Sequence, residues 1–160
     1  MTGSGVAGGW AATVVWVGVV VVYAALSGVW TAHDPGWYSR LAKPSFQPPD
    51  LVFGIVWPLN FLALLGVGVW FTRSADATGV WPATLVLAAS VVAALAWAWL
   101  FYVPHRIGAA TVALAVAAVL TWVLVVLVAR SLPWAGLVLA PYAVWLSVAT
   151  ALSVQYARLN

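Results

Sequence analysis

The segment WAATVVWVGVVVVYAALSGVWT, residues 10–31, contains no charged residue and is long enough to cross a lipid bilayer. A spanning helix needs about 20 apolar residues to traverse about 30 Å of hydrocarbon. Valine dominates the segment, and in water that would favour a strand. In lipid every backbone group must be hydrogen-bonded within the segment, so a helix is favoured. No Lys or Arg precedes it, whereas a signal peptide begins with a basic region, so we predict a retained helix.

Four more segments share this character, at about residues 51–72, 80–102, 107–129 and 134–157. A membrane β-barrel would instead show alternating segments of about ten residues. We therefore predict an all-α integral membrane protein, a single domain over residues 1–160 built as a bundle of five transmembrane helices. A ligand-covering loop at 32–50 joins the first two.

The composition supports lipid as the main solvent, because 66% of residues are hydrophobic and only 6% are charged. Soluble domains carry about a quarter charged residues. The net charge of +3 comes from six cations scattered between apolar runs, which indicates membrane topology and not nucleic-acid binding. Cysteine is absent, which excludes disulfides and thiol catalysis, and two histidines, His33 and His105, are too few to predict a metal site.

The acidic residues argue against conventional catalysis and ion coupling. Asp34, Asp50 and Asp76 fall in predicted loops or at a helix start, and no charge lies in the middle of a span. Ion-coupled transporters and proton pumps generally place ionisable residues there. The predicted bundle also offers no Ser-His-Asp or paired-carboxylate arrangement. These absences favour a binding protein over an enzyme.

The segment AHDPGWYSRLAKPSFQPPD, residues 32–50, holds four of the nine prolines and four of the nine charges. A long structured loop between closely linked helices is often functional. The loop also bears on topology, because five spans place the termini on opposite sides. Four cations share the loop's side and two lie opposite, which favours a cytoplasmic C-terminus; they are Arg40, Lys43, Arg106 and Arg158 against Arg73 and Arg130.

Part of this loop, WYSRLAKPSFQPP at residues 37–49, resembles the first-loop signature of the TspO/translocator protein family, and the likeness continues to Phe53 and Val56-Trp57. Two further blocks follow in the family's order, AWAW (96–99) with HRIG (105–108), and PYAVWL (141–146) with RLN (158–160). The chain departs from the family's usual residues at several positions that bear on ligand preference: Ala96 and Ser153 replace Asn, Asn60-Phe61 replaces Leu-Tyr, Leu64-Leu65 replaces Met-Gly, and Tyr102-Val103 stands in place of Phe-Phe-Gly.

The resemblance implies a homodimeric five-helix bundle with a ligand cavity closed by the first loop, in a bacterial cell membrane. It implies binding of porphyrins such as protoporphyrin IX, as ligand and not as required cofactor, and of cholesterol or other sterol-like compounds in some members. Our first interpretation is therefore a membrane receptor or sensor for tetrapyrroles. The alternatives are a light-dependent porphyrin-degrading protein and a tetrapyrrole transporter.

Three helical faces are candidates for the ligand site. Helical spacing groups Trp57, Asn60, Phe61 and Leu64 in the second span, Trp97 and Phe101 in the third, and Trp145, Ala149, Leu152 and Tyr156 in the fifth. If these faces converge, they form an aromatic slot for a flat ring. The resemblance places Trp57 and Trp145 in the cavity, and both would be the redox partners of any photochemistry.

Other residues receive structural or alternative roles. The loop is predicted to act as a lid, formed by Trp37, Tyr38, Arg40, Lys43, Pro44 and Phe46. Arg40 and Lys43 would meet either ligand propionates or lipid headgroups. A proposed sterol pattern is formed by Leu152, Tyr156 and Arg158, although interfacial anchoring explains it as well. Interface belts are predicted for Trp10, Trp30, Trp70, Trp81 and Trp134. Small-residue stripes at Ala109/Ala113/Ala117 and Ser90/Ala94/Ala98 would pack helices within one chain or between two.

Overall fold

The computed structural model of the protein describes residues 3–74 and 77–160, and these residues form helices and connecting segments without a strand. In chain order the helices are α1 (Gly3–Thr31), α2 (Pro35–Arg40), α3 (Asp50–Ser74), α4 (Ala77–Tyr102), α5 (Ile107–Ser131) and α6 (Pro133–Leu159). All but α2 contain a stretch long and apolar enough to cross a membrane. The prediction of an all-α integral membrane bundle with five spans is confirmed; Asp76 lies outside the described residues.

The short helix α2 was not predicted; it lies in segment 32–50, which we predicted to be a structured loop. Its start nevertheless has a recognisable local cause. Asp34 caps the helix by accepting a hydrogen bond from the Trp37 backbone N–H at 2.8 Å, and Pro35 occupies the first turn, where a missing N–H costs little. Pro133 likewise occupies the first turn of α6, although no side chain caps that helix.

The five long helices form a closed ring in which α1 packs on α4, α4 on α5, α5 on α6, α6 on α3, and α3 on α1. Helices α3 and α4 follow one another in sequence but are not neighbours in this ring. Their inward faces therefore oppose each other across the interior of the bundle. This arrangement matters because the aromatic residues predicted for the ligand site lie on α3, α4 and α6.

The half of the bundle farther from segment 32–50, which we call the packed half, is filled by close helix contacts. Trp16 of α1 is fully buried, and its indole N–H donates to the Leu64 carbonyl of α3 at 2.9 Å. The indole lies directly over Gly68, where an added Cβ would come within 2.0 Å of Trp16 Nε1. One turn away, the hydroxyls of Thr13 and Thr72 are 2.7 Å apart. Such contacts are how helices associate in lipid, where hydrophobic driving force is weak.

Hydroxyl pairs also join the remaining helices. Ser90 of α4 and Thr121 of α5 have their hydroxyl oxygens 2.8 Å apart, and the same distance separates Thr111 of α5 from Ser153 of α6. Ser90, Ala94 and Ala98 are all buried, so this small-residue stripe packs within one chain. The other stripe is mixed, since Ala109 is exposed, Ala113 is half-buried and Ala117 is buried.

The tryptophans predicted for interface belts are mostly exposed at the ends of the long helices. Trp10, Trp70, Trp81 and Trp134 each expose more than a third of their surface, whereas Trp30 is partly buried against the core. The Trp70 and Trp134 rings meet edge to face, with centroids 6.0 Å apart. Exposed indoles at span ends are typical of an aromatic belt at the membrane interface.

Candidate ligand cavity

A cavity of about 510 Å³ occupies the half of the bundle beneath segment 32–50. Its walls come from the C-terminal parts of α1, α4 and α6 and the N-terminal part of α3. Three residues of segment 32–50 lie above: Tyr38, Gln47 and Asp50, the last of which also begins α3. None of the residues of α5, all of which the structure describes, contributes to it. The residues that line it include Tyr23, Tyr38, Gln47, Asp50, Phe53, Gly54, Trp57, Pro58, Phe61, Ala94, Trp97, Ala98, Phe101, Trp145, Ala149, Leu152 and Tyr156.

One wall of the cavity is an aromatic cluster at the α1–α3 contact. The rings of Trp57 and Phe61 lie one turn apart on α3 and stack at 29°, with centroids 5.8 Å apart. Tyr23 of α1 is buried and meets both rings edge-on, at 6.0 and 5.2 Å. Edge-to-face contacts fix ring orientation. The orientations of the Trp57 and Phe61 rings are therefore fixed by Tyr23.

The opposing wall comes from α4, and α6 closes the side between them. Trp97 and Phe101 lie one turn apart on α4, with centroids 5.9 Å apart. Trp145 of α6 is set by an edge contact with Phe53 of α3 at 5.3 Å. Small residues widen the space between these rings, namely Ala94 and Ala98 of α4 and Ala149 of α6. The result is a mainly apolar hollow with large rings on four of the long helices, α1, α3, α4 and α6.

Two indole N–H groups in these walls are buried and have no hydrogen-bond partner among the described residues; they belong to Trp97 and Trp145. A buried donor left unpaired costs about 1–3 kcal/mol. Both indoles line the cavity, although neighbouring atoms cover the two nitrogens.

The lid is joined to the cavity through a small polar network. Tyr156 of α6 donates its hydroxyl proton to the Gln47 side-chain oxygen and lies 3.2 Å from the Tyr38 hydroxyl. The Gln47 amide nitrogen is 3.4 Å from the Tyr38 hydroxyl as well. All three residues line the cavity. The network therefore ties segment 32–50 to α6 directly above the aromatic walls.

Two further anchors hold the lid from outside the cavity. The Asn160 side chain brackets the backbone of Ala42, accepting from its N–H at 2.9 Å and donating to its carbonyl at 3.2 Å. On the other flank, Trp37 stacks on His105 of the α4–α5 link at 3.9 Å between ring centroids. His105 Nε2 is also 3.7 Å from an Asp34 carboxylate oxygen. The lid is thus fastened to both the α6 end and the α4–α5 link.

Nine residues of the predicted ligand and lid sets do line the cavity: Trp57, Phe61, Trp97, Phe101, Trp145, Ala149, Leu152, Tyr156 and Tyr38. Leu64 does not, because it is fully buried in the packed half. Asn60 does not either, although helical spacing grouped it with Trp57. Its side chain is buried outside the cavity, and its amide nitrogen has no partner among the described residues. Neighbouring helix positions differ by about 100°, so Phe61 and Asn60 face different surroundings.

The two lid cations do not line the cavity either. The Arg40 guanidinium folds back along α2, with Nη1 3.6 Å from the point where a Cβ on Gly36 would lie. The Lys43 ammonium lies 5.7 Å from the centre of the Tyr38 ring. Both side chains are exposed. The structure therefore does not place either cation where it would meet a carboxylate inside the cavity.

The remaining lid and sterol-pattern residues have distinct surroundings. Pro44 is buried and Phe46 is half-exposed, and neither lines the cavity. Leu152 and Tyr156 are both buried and face the cavity, whereas Arg158 is exposed. A sterol lying on the outer surface of α6 would therefore not contact the first two residues of that pattern.

Sequence reasoning missed several lining residues. Tyr23 and Gln47 had no motif role, and Phe53 was noted only as part of the family likeness. The spacing of Phe53 four residues before Trp57 was an available signal for a shared face. Asp50 was counted only as an acid at a helix start. Among the described residues, no three His, Asp or Glu side chains lie close enough together to hold a metal ion.

These features define a multi-pass integral membrane protein, with five spans in a ring and a loop-capped internal cavity. The sequence profile of the TspO/MBR family matches residues 8–159, nearly the whole chain, and the chain belongs to this family. The resemblance seen in the first loop is thereby confirmed.

Curated relatives agree with this assignment. The chain is 33% identical over 129 aligned positions to a "Tryptophan-rich sensory protein" of Cereibacter sphaeroides, covering 78% of this chain and 77% of the relative. It is 29% identical over 156 positions to "Tryptophan-rich protein TspO" of Chlorobaculum tepidum, covering 90% and 92%. It is 29% identical over 150 positions to "Protein CrtK" of Rhodobacter capsulatus, covering 79% and 81%.

Proposed function

We propose that the protein is a membrane receptor or sensor that binds a tetrapyrrole, such as protoporphyrin IX, in the cavity between α3 and α4. The observation that carries this proposal is the aromatic hollow itself. Its volume of about 510 Å³ lies within the range of about 300–1,000 Å³ typical of small-molecule pockets. Large rings from four of the long helices line it, and small residues lie between them.

The chemistry of the walls suits a flat aromatic ligand. Two firm ring surfaces, Trp57 with Phe61 and Trp97 with Phe101, come from helices that oppose each other across the bundle. A planar macrocycle between them would bury both of its faces against aromatic rings. The unpaired N–H groups of Trp97 and Trp145 would add two donors for ligand acceptor atoms.

The sensory part of the proposal draws on the relatives. Two of them are named for their tryptophan content and one of these as a sensory protein. A receptor needs an element that responds to occupancy, and the lid offers one, because Tyr38 and Gln47 both line the cavity and hydrogen-bond with Tyr156. A ligand touching these side chains would alter the lid's attachment to α6.

A cavity-filling substitution tests the binding site. In Ala149→Leu the larger side chain enters the cavity, and we expect protoporphyrin IX affinity to fall at least about tenfold because the ring loses its space. The matched control is Ala151→Leu, the same change two residues along α6 at an exposed position outside the cavity lining. Affinity is measured by porphyrin titration of the purified protein in detergent, followed by fluorescence quenching.

Equal affinity in the two variants would contradict the proposed site. Absorbance of bound porphyrin in light and darkness then separates a binder from a light-dependent degrading protein. If light consumes the porphyrin, loss of turnover in Trp145→Phe would support a redox role for that indole, and unchanged turnover would remove it. Uptake into protein-containing vesicles tests the transporter alternative.

Sterol-like compounds enter this proposal only as alternative occupants of the same cavity. Leu152 and Tyr156 face that cavity, so a sterol bound there would contact both. Competition between a sterol and protoporphyrin IX for the wild-type protein tests the idea. Additive binding would place the sterol elsewhere.

The proposed setting is a bacterial cell membrane with the lid side in the cytoplasm. The relatives' source organisms suggest the membrane, and the cation count suggests the orientation. Four cations lie on the lid side and two on the other, namely Arg40, Lys43, Arg106 and Arg158 against Arg73 and Arg130. Access of a membrane-impermeant thiol reagent to a cysteine introduced at Ser39, in intact and opened cells, tests the orientation.

A further inference from the structure

We infer that Asp50 at the cavity mouth weakens the binding of tetrapyrroles whose lid-side edge carries carboxylates, relative to those whose edge is uncharged or cationic. This inference rests on the proposed function and ranks ligands within the same class. It is carried by Asp50, the single charged side chain among the described residues that line the cavity. An anion seated with its edge toward the lid would lie on the same side of the cavity as this carboxylate.

The Asp50 carboxylate is not neutralised by a partner. It makes no ion pair or side-chain hydrogen bond with another residue in the described part of the chain. Its neighbours in the cavity wall are Phe53 and Gly54, one turn along α3. Its charge is therefore available to a ligand at the cavity mouth.

The nearby cations are directed elsewhere. Arg40 lies along α2 beside Gly36, and the Lys43 ammonium lies over the Tyr38 ring without lining the cavity. Arg106 and Arg158 are exposed and outside the cavity lining. These four cations raise the concentration of anions near this end of the molecule, but Asp50 is the charge that acts on a ligand once it is seated.

The helix terminus at the mouth points to the same conclusion. The N-terminus of α3 carries a partial positive charge that would otherwise attract a carboxylate. Asp50 occupies the first turn of α3 and already compensates that charge. Among the described residues that line the cavity, the charge at the mouth is thus an acid, while the donors of Trp97 and Trp145 suit neutral acceptor atoms.

The test uses three probes that share one macrocycle and differ only at the edge. They are protoporphyrin IX with two carboxylates, its dimethyl ester, and its bis(aminoethyl) amide with two ammonium groups. Each is titrated into wild-type protein and into Asp50→Asn, which keeps the side-chain size and a residue suited to a helix start. The affinity of each probe for the wild type is compared with its affinity for the variant in the same uncharged detergent. Partition of the probe into detergent then affects both values equally.

In Asp50→Asn we expect the dicarboxylate to bind about two- to fivefold more tightly, the diammonium probe to bind weaker by a similar factor, and the ester to be unchanged. The affinity differences between the wild type and Asp50→Asn, for the dicarboxylate and for the diammonium probe, should both shrink when the salt concentration is raised. A purely structural effect of the substitution would not respond to salt in this way. Asp50→Glu should restore the wild-type order of the three probes.

The matched control is Asp34→Asn, which removes the same charge from the same side of the membrane and keeps a capping side chain for α2. Asp34 does not line the cavity, so the three affinities should keep their wild-type ratios. The inference is overturned if all three probes respond alike to Asp50→Asn, or if Asp34→Asn reproduces its effect. If none of the probes binds the wild type, the proposed function fails and this inference fails with it.

Discussion

The packed half and the cavity half of this bundle use the same helices for opposite purposes. In the packed half, Trp16 is buried against Gly68 and its N–H is paired with the Leu64 carbonyl. In the cavity half, Trp97 and Trp145 border open space and their N–H groups are unpaired among the described residues. Indoles therefore fill the interior in the packed half and line an open space in the cavity half. The two halves differ in the residues near the indoles. Trp16 has Gly68 beneath its ring and the Leu64 carbonyl as acceptor, whereas Trp97 and Trp145 share the cavity wall with small alanines.

The sharpest way to test this division compares two phenylalanines of α3. Phe71 is fully buried in the packed half, and Phe71→Ala should lower the free energy of unfolding by about 3–5 kcal/mol. Phe61 already borders the cavity, so Phe61→Ala should cost about 1–2 kcal/mol, since less packed contact is lost. Unfolding in mixed detergent micelles measures both, and porphyrin affinity should fall only in Phe61→Ala. Equal stability losses would erase the distinction between the halves.

A second comparison uses two glycines of α3. Gly68→Ala would place a Cβ within 2.0 Å of the buried Trp16 ring, and forcing α1 and α3 apart should cost about 1–3 kcal/mol. Gly66→Ala is the control, because a Cβ there meets nothing within 4 Å. Thermal unfolding followed by tryptophan fluorescence should separate the two variants. If Gly68→Ala unfolds at the wild-type temperature, close approach of Trp16 is not what holds this half together.

The smallest expected effect concerns the lid. Asn160→Ala removes both hydrogen bonds to Ala42, each worth about 0.5–1.5 kcal/mol, so the lid should open more often. We expect tryptic cleavage at the Arg40–Leu41 bond to quicken roughly tenfold, because cleavage follows the open population. Global unfolding should move little. Gln155→Ala, on the same helix, is the control and should leave cleavage unchanged; equal cleavage in the two variants would deny Asn160 this role.

Much of the fold could be predicted from the sequence because lipid imposes a simple rule. A membrane of fixed thickness demands long uncharged runs, and the runs at residues 10–31, 51–72, 80–102, 107–129 and 134–157 all lie within the long helices of the structure. The order of those helices around the ring could not be predicted. It depends on local fits such as Gly68 under Trp16, which no periodicity reveals.

The cavity was predictable only in part, for a related reason. Trp57 and Trp145 were assigned through family likeness, while helical spacing alone wrongly grouped Asn60 with the cavity face. The direction of Lys43 could not be predicted, because an irregular segment imposes no period on its side chains. That of Arg40 depends on α2, a helix that was itself not predicted. The helix α2 was missed although Asp34 followed by Pro35 is a recognisable start signal.

Helix α5 takes no part in the cavity, and the whole chain lacks cysteine. Its outward residues, Val112, Val116 and Val119, are well exposed on one stripe of the helix. A thiol introduced at any of them would be the sole attachment point for a spin label or a cross-linker. Such a probe would report whether two copies of the chain meet along α5, while the cavity, which the other long helices and segment 32–50 line, stays chemically unmodified.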